Sequence, residues 1–190
     1  RQQGAVFVGR TATPELGWKG ITDSPLTGIT RNPWNTDKTP GGSSGGAAVA
    51  AALGMGALHI GTDGGGSVRI PAGFTGVFAL KPTAGRVPVH PASAFGSLSH
   101  VGPITRTVED AALMMNVMSQ PDPRDWLALP FDPWDFRTGL DLGVRHLRVA
   151  YSPALGFADV DPEIAEIVAG AVQVFGELGA SVELQDPGFD

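Results

Sequence analysis

The sequence contains no cysteine, and this absence excludes several kinds of chemistry. Without thiols, the chain has no disulfides, no thiolate metal site and no cysteine nucleophile. No apolar run approaches the length of about 18 residues that a membrane-spanning helix needs. The chain also lacks a basic block and carries a net charge of −6. We therefore expect neither nucleic acid nor a membrane as a partner, and a cytoplasmic location, since nothing demands an oxidising compartment.

Glycine and proline, by contrast, are abundant, with 27 and 16 residues among 190. Such a composition predicts many tight turns and irregular loops. The apolar content of 42% and the charged content of 17% are those of an ordinary globular domain. We interpret residues 1–190 as a partial domain, with a half that carries the glycine loops (1–120) and a second half (121–190). The second half begins with an excursion rich in Pro, Asp and Trp and continues with a strand-helix-strand unit.

A glycine-rich turn at residues 61–69, with the sequence GTDGGGSVR, is the centre of the chain. The short apolar run 57–60 precedes it and predicts a buried strand that leads into the turn. Consecutive glycines allow φ > 0, so Gly64, Gly65 and Gly66 can direct several N–H groups inward and form an anion-binding nest. Ser67 follows directly. A hydroxyl beside such donors suits acyl transfer.

A second glycine cluster, GGSSGG at residues 41–46, precedes an alanine-rich run that predicts a helix. Either Ser43 or Ser44 can occupy the helix N-cap. Ser67 lies 24 positions after Ser43, which is enough for a helix, a turn and a strand, so the chain could bring both serines to one place. Two serine loops that meet suggest a relay of hydroxyl groups rather than a lone nucleophile.

Together these two motifs resemble the hallmark of the amidase signature family, and the likeness extends along the whole chain. The resemblance implies that Ser67 is the nucleophile and that Ser43, in a cis peptide, is the second serine of a Ser-cisSer-Lys triad. It also implies that the N–H groups of Gly64, Gly65, Gly66 and Ser67 form the oxyanion hole. By sequence alone Ser44 could exchange roles with Ser43; the family pattern favours Ser43 and leaves Ser44 as support.

The family's lysine lies in a segment that would precede residue 1, and none of the lysines here matches its context. Arg1 is also not an initiator Met. We therefore expect the chain to be an internal fragment of an amidase, with two of the three triad residues and no activity on its own. The implied reaction hydrolyses a carboxylic amide, linear or cyclic, through an acyl-enzyme on Ser67. It needs neither a metal nor an organic cofactor.

Other roles for the same residues are weighed against this one. Asp63 and Arg69 have opposite charges across the turn, which predicts an ion pair that supports the loop, with anchoring of an acidic substrate by Arg69 as the alternative. A Ser-His-Asp triad and a phosphate site are disfavoured because the nucleophile-elbow and P-loop motifs are absent. Four aromatic residues either line an apolar pocket or only pack in loops: Trp18, Phe95, Trp34 and Trp126.

Three classes of function remain open. The first is a free-standing amidase that acts on a small-molecule amide, with a homodimer left open as its assembly. The second is the amidase component of a tRNA-dependent amidotransferase, in which glutamine typically follows the motif arginine; here that residue is Ile70. The third is a non-catalytic binding protein that keeps the fold.

The predicted fold class is α/β, with a mixed, mostly parallel sheet flanked by helices. Residues 5–9, 77–80, 147–151 and 181–184 are predicted strands, and one helical turn is expected around Glu15. Thr107 is predicted to cap one helix. Asp161 and Pro162 are predicted to begin another, which Gly179 ends, with one buried apolar face: Ile164, Ile167, Val168, Ala171, Val174 and Phe175.

Overall fold

Short helices and strands alternate along the chain in a computed structural model, which describes residues 3–188. The helices are α1 (Gly45–Ala52), α2 (Arg69–Thr75), α3 (Val108–Met118) and α4 (Pro162–Glu177). The strands are β1 (Asp23–Ser24), β2 (Gly28–Ile29), β3 (His59–Asp63), β4 (Phe78–Ala79), β5 (His100–Thr105), β6 (Arg148–Tyr151) and β7 (Ser181–Leu184). Two short 3-10 helices span Glu15–Gly17 and Gly96–Leu98, and the first is the turn expected around Glu15. The α/β class is confirmed.

The chain forms two compact units, Arg1–Thr138 and Gly139–Asp190. The first contains β1 to β5 and α1 to α3, and the second contains β6, α4 and β7. The boundary between the units lies later than the division after residue 120 that the sequence suggested. The interpretation of 1–120 as the catalytic half stays a prediction.

The larger sheet of the first unit is antiparallel, as is the pair β1-β2, so the expectation of a mostly parallel sheet is wrong for this unit. The strand order of the larger sheet is β3-β5-β4, and β5 runs antiparallel to both neighbours. Because β3 and β4 are each antiparallel to β5, they run in the same direction, and α2 connects them. β3, α2 and β4 thus form a strand-helix-strand unit whose two strands run in the same direction, but β5 lies between those strands in the sheet.

A small alanine-rich core holds this sheet against α1. Ala47, Ala48 and Ala51 of α1 pack with Val68 and Ile104, all at most 1% exposed. Alanine suits this position because its short side chain lets a helix approach a sheet closely. The predicted strand before the glycine turn begins later than expected, at His59, and continues to Asp63 with alternate residues buried. Asp63 is therefore the last residue of a paired strand, directly before the glycine turn.

Helix α3 begins as its sequence predicts, with the Thr107 hydroxyl accepting the Asp110 N–H at 3.1 Å. Its buried residues include Ala111 and Met115, whereas Val108 is 43% exposed. Residues 5–9 form no strand, and Val6 and Val8 are more than 80% exposed, so that prediction is wrong. Apolar composition alone does not make a strand without a partner to pair with. Within residues 3–188, no helix is long and apolar enough to cross a membrane.

The second unit is the predicted strand-helix-strand unit, in which β6 and β7 pair in parallel. The Asp161 side chain accepts the Glu163 N–H at 2.9 Å, Pro162 begins α4, and Gly179 follows its end with φ +93°. The apolar face expected to be buried is instead solvent-exposed, as Ile164 and Ile167 are 52% and 61% exposed. A sheet of two strands does not cover a helix of 16 residues.

Candidate active site

The glycine turn after β3 is held by one carboxylate, that of Asp63. Asp63 is 1% exposed and accepts the amides of Gly66 at 2.7 Å and Val68 at 3.1 Å. The guanidinium of Arg69 donates to both carboxylate oxygens, from Nε at 3.0 Å and from Nη2 at 2.9 Å. The predicted Asp63–Arg69 ion pair is confirmed as a contact. It closes the turn around the carboxylate and fixes the backbone on both sides of Ser67.

Asp63 is ionised in this environment. Burial by itself raises the pKa of Asp63, but hydrogen bonds from Arg69 and from the amides of Gly66 and Val68 outweigh it and lower the pKa to about 2. A buried carboxylate that accepts several N–H groups is stabilised in its charged form. The turn is therefore organised around a fixed negative charge over the usual pH range.

The backbone at Gly66 requires glycine. Its φ of +124° is rarely adopted by other residues, and a Cβ there would lie 2.7 Å from the Ile70 Cδ1. The amide of Gly66 is directed at Asp63, whereas those of Gly64, Gly65 and Ser67 have no hydrogen-bond partner within residues 3–188. Four amides were predicted to form the oxyanion hole. In this conformation three of them have a free N–H within the described chain, and the Gly66 N–H is occupied.

The first glycine loop contains a cis peptide bond between Gly42 and Ser43. Gly42 lies against the backbone of the preceding loop, where a Cβ would come within 2.6 Å of the Ile21 carbonyl carbon. Thr22, which is 2% exposed, donates its hydroxyl proton to the Gly41 carbonyl at 2.9 Å and accepts the Gly45 N–H at 3.1 Å. Thr22 therefore bridges the two ends of the loop that carries Ser43.

Ser44 joins the two loops. Its hydroxyl accepts the Thr62 N–H at 3.1 Å and donates to the Thr62 carbonyl at 3.3 Å, and its own amide donates to the Ser67 carbonyl at 3.1 Å. The residue occupies the N-cap position of α1, but its side chain does not cap the helix. The two serine loops, predicted to meet, are thus in direct contact through Ser44.

The structure distinguishes Ser43 from Ser44. The Ser44 hydroxyl is engaged with the backbone of β3, whereas the Ser43 hydroxyl has no hydrogen-bond partner in the described part of the chain, although Ser43 is only 3% exposed. Ser67 is partly exposed, and its hydroxyl has no partner in the same range either. Of the two adjacent serines, Ser43 is therefore the one whose hydroxyl is free to receive and pass on a proton. Support by Ser44 and a relay role for Ser43 stay predictions.

The loop before the first glycine cluster is fastened to the far end of α2. The Asn32 amide donates to the Phe74 carbonyl at 2.8 Å, and the Trp34 indole N–H donates to the Thr75 carbonyl at 2.7 Å. Together with Thr22, these residues support the site from outside the two motifs. Of the three, the sequence had drawn attention only to Trp34, as a residue that lines a pocket or packs in a loop.

Histidine and lysine side chains are engaged away from the two serines. His59 contacts the Met55 carbonyl through Nε2, and His100 contacts the carbonyls of Asp63 and Leu98 through Nδ1. Lys81 donates to the Pro82 carbonyl and Lys19 pairs with Asp23. Within residues 3–188, no histidine or lysine side chain makes a hydrogen bond to Ser43 or Ser67. This arrangement gives no support to a Ser-His-Asp triad.

A family model described as Amidase matches residues 1–188 of this chain. The chain is 45% identical to an acylamidase of Rhodococcus erythropolis, over 98% of this chain and 39% of that protein. It is 44% identical to one component of the glutamyl-tRNA(Gln) amidotransferase of Desulforapulum autotrophicum, over 96% of this chain and 38% of that component. The chain therefore spans about two fifths of the length of these relatives.

Solved structures give the same result. A bacterial aryl acylamidase belonging to the amidase signature enzymes superposes with a TM-score of 0.84 at 42% identity, covering 93% of this chain and 36% of that one. A 6-aminohexanoate cyclic dimer hydrolase complexed with substrate superposes with a TM-score of 0.86 at 35% identity, covering 95% and 39%. The predicted fold family is confirmed by these likenesses.

Proposed function

This chain belongs to the amidase family, and on that premise we propose that it is the serine-bearing part of an enzyme that hydrolyses a carboxylic amide through an acyl-enzyme on Ser67. The observation that supports the proposal is the contact between the two loops, in which the Ser44 amide donates to the Ser67 carbonyl. Ser43, whose hydroxyl has no hydrogen-bond partner within residues 3–188, precedes Ser44 in that contact. A nucleophile and a proton carrier in adjoining loops are what acyl transfer needs.

The proposed reaction begins with attack of the Ser67 oxygen on the amide carbonyl carbon. The Ser67 proton passes to Ser43, which hands its own proton to a lysine of the kind that the family's Ser-cisSer-Lys triad contains. The free amides of Gly64, Gly65 and Ser67 stabilise the negative oxygen that forms. When the carbon–nitrogen bond breaks, the nitrogen takes up the proton through Ser43 and leaves as an amine or ammonia. Water then attacks the ester on Ser67 and releases the carboxylic acid.

Each supporting residue has a part in this proposal. The Asp63 carboxylate, neutralised by Arg69, holds the backbone of the turn in place. The Gly66 N–H donates to that carboxylate and is therefore not offered to the oxyanion. Because both carboxylate oxygens are occupied by Arg69, anchoring of an acidic substrate by Arg69 is the less favoured role. Ser44 and Thr22 fix the position of the loop that carries Ser43.

Labelling by a fluorophosphonate probe tests this proposal in the complete protein. We expect covalent modification of Ser67, located by peptide mass spectrometry, and loss of both labelling and amide turnover in Ser67→Ala. The 190-residue chain alone is proposed to be inactive, because no lysine side chain in residues 3–188 is hydrogen-bonded to either serine. A folded full-length protein that neither labels nor turns over any amide would support the non-catalytic binding protein instead.

A second candidate is the amidase component of a tRNA-dependent amidotransferase, favoured by the 44% identity to such a protein. Ile70 is an apolar residue where the pattern of those amidotransferases has glutamine, which favours the free-standing enzyme. Turnover of glutamine, compared with turnover of apolar amides, separates the two candidates. A dominant glutaminase activity that rises with a partner protein would identify the amidotransferase.

The assembly and location are proposals of the same kind. A homodimer is proposed only as the first assembly to test, by light scattering of the complete protein. A cytoplasmic location is proposed because the chain has no cysteine that would profit from an oxidising compartment. Cell fractionation measures it directly.

A further inference from the structure

Two different side chains hold the two halves of the glycine turn. The Asp63 carboxylate accepts amides from the second half of the turn, at Gly66 and Val68. The first half begins at Gly64, and its amide does not donate to that carboxylate. There the side-chain contact is to the carbonyl oxygen of Asp63, which lies 3.2 Å from the His100 Nδ1. The two halves are therefore held by hydrogen bonds of separate origin.

His100 places one ring nitrogen between two carbonyl groups. Its Nδ1 lies 2.8 Å from the Leu98 carbonyl oxygen and 3.2 Å from the Asp63 carbonyl oxygen. Both oxygens can only accept hydrogen bonds, so Nδ1 carries the proton and shares it between them. His100 also pairs with Asp63 as the last pair of the ladder between β3 and β5. Backbone and ring of one residue thus both hold Asp63 at the end of its strand.

The Asp63 carbonyl and the Gly64 N–H belong to the same peptide unit. Because that unit is planar and trans, its C=O and its N–H point in opposite directions. A hydrogen bond that holds the carbonyl toward His100 therefore directs the Gly64 N–H away from His100. This N–H has no hydrogen-bond partner within residues 3–188, and it is one of the three donors proposed for the oxyanion.

Packing does little to hold this peptide, because glycine follows it. A Cβ on Gly64 would meet only the Leu98 carbonyl oxygen within 4 Å, at 3.7 Å, and a Cβ on Gly65 would meet nothing within that distance. Glycine also rotates with little steric resistance, so the peptide between Asp63 and Gly64 is easily turned over. Its orientation therefore depends on the hydrogen bonds to its carbonyl oxygen.

We infer that His100 is a positioning residue, whose Nδ1–H holds the Asp63–Gly64 peptide so that the Gly64 N–H faces the negative oxygen formed on the substrate. The inference rests on the proposed function, in which Ser67 attacks an amide and the amides of the turn stabilise that oxygen. The ring makes no hydrogen bond to either serine in residues 3–188, so it acts through Gly64. An oxyanion donor stabilises the transition state more than the bound substrate, so loss of the ring should slow the chemical step and spare binding.

Labelling of Ser67 by a fluorophosphonate in the complete protein tests the inference without a known substrate. The rate constant at saturation, kinact, reports the chemical step, and the concentration at half-saturation, KI, reports binding. His100→Ala is expected to lower kinact about tenfold and to leave KI within about twofold. This loss is smaller than the factor of about 10²–10³ for complete removal of an oxyanion donor, because the backbone pairing with β5 remains.

Two conservative substitutions separate the position of the donor from the volume of the ring. The amide nitrogen of asparagine lies where Nδ1 of histidine lies, and that of glutamine lies where Nε2 lies. His100→Asn should therefore keep at least about half of the wild-type kinact, whereas His100→Gln should resemble His100→Ala. Equal rescue by the two variants, or rescue by glutamine alone, would overturn the inference.

The matched control is His59, at the opposite end of β3. Its Nε2 lies 3.0 Å from the Met55 carbonyl oxygen, so it makes the same kind of bond away from the glycine turn. His59→Asn should lower the midpoint of thermal unfolding but leave kinact within about twofold, measured well below that midpoint. If His59→Asn slows labelling as much as His100→Ala, general loosening of the sheet explains the effect and the inference is wrong.

NMR of the complete protein with isotopically labelled histidine rings gives a readout that is independent of activity. The His100 signals, identified by their loss in His100→Asn, should show a proton on Nδ1. A ring with its proton on Nε2 alone would overturn the inference.

The outcomes also distinguish the inference from the proposed function. If Ser67 is labelled at a rate that His100→Ala does not change, only the role of His100 fails. If the wild type is not labelled at Ser67, the proposed function fails and the positioning role fails with it.

Discussion

The backbone amide of Ser44 donates to the carbonyl oxygen of Ser67 at 3.1 Å. This bond joins two loops that are more than twenty residues apart in the sequence, and it lies one residue from the hydroxyl proposed as the relay. It belongs to the main chain, so it survives every substitution of the Ser44 side chain. The relative position of the two loops is therefore set by backbone as well as by side chains.

Substitution of the two neighbouring serines should separate catalysis from support. Ser43→Ala is expected to lower kcat at least about tenfold and leave the free energy of unfolding unchanged, because its hydroxyl has no partner in the described residues. Ser44→Ala should lower the free energy of unfolding by about 1–2 kcal/mol, since it removes two partly buried hydrogen bonds to Thr62. Amide turnover and chemical denaturation of the complete protein check both. An unchanged rate in Ser43→Ala would reject the relay.

Replacing Asp63 by asparagine should disorder the glycine turn. The variant loses the charge that pairs with Arg69 and one oxygen that accepts N–H groups, so we expect a loss of about 3 kcal/mol in unfolding free energy and of most activity. The control is Asp122→Asn, which breaks a similar pair with Arg124 on the surface and should change neither measurement. Equal effects of the two substitutions would show that burial of the pair is unimportant.

The free energy of unfolding should depend on pH through the Asp63 carboxylate. The pKa of Asp63 is lowered from 3.8 to about 2, so the folded state binds its proton less readily than the unfolded state. The contribution of the charge is complete above about pH 4 and disappears as the pH falls through about 2, a change of about 2 kcal/mol. We expect the difference in unfolding free energy between the wild type and Asp63→Asn to shrink over this window. A difference that stays constant from about pH 5 to about pH 2 would contradict the assignment.

Two glycine-to-alanine substitutions should change the free energy of unfolding in opposite directions. Gly66→Ala forces a side chain into φ +124° and against Ile70, and should cost about 1–3 kcal/mol and impair Ser67. Gly73→Ala, within α2 and with open space around it, should stabilise by about 0.5–1 kcal/mol because alanine favours helix. Thermal and denaturant unfolding measure both. Destabilisation by Gly73→Ala would mean that α2 packs differently.

Thr22 is expected to act through its hydroxyl. Thr22→Val keeps the shape but leaves the Gly41 carbonyl and the Gly45 amide without a partner, which should cost about 2 kcal/mol. Thr22→Ser keeps the hydroxyl and serves as the matched control, with a smaller loss from the missing methyl group. The fluorophosphonate labelling rate of Ser67 should fall in the valine variant only. Similar losses in both variants would point to packing rather than hydrogen bonding.

The features that the sequence predicted correctly depend on residues close together in the chain. The Asp63–Arg69 contact spans six residues, the Thr107 cap three, and both follow from the geometry of a turn or a helix start. The spacing of Ser43 and Ser67 allowed their loops to meet, and the resemblance of the two motifs together to a family made this the favoured prediction. Neither motif by itself specifies a partner.

What the sequence did not predict depends on distant pairs. Trp34 bonds to a carbonyl 41 residues away and Asn32 to one 42 residues away, and nothing in the local pattern names such partners. The position of β5 between β3 and β4 is a choice of the same kind, since an apolar strand can pair in either direction. The role of Gly66 could not be predicted either, because a run of three glycines does not show which of their N–H groups donates to the Asp63 carboxylate.

Ile70 touches both glycine loops, since a Cβ on Gly41 would lie 2.9 Å from its Cγ2 and one on Gly66 would lie 2.7 Å from its Cδ1. One aliphatic side chain thus acts as the spacer between the segment that leads to Ser43 and the segment that leads to Ser67. A larger or smaller residue at position 70 would therefore alter the packing of both loops, not of one alone. A change in the size of the side chain at position 70 is therefore expected to move the loops of the proposed nucleophile, Ser67, and the proposed relay, Ser43, together.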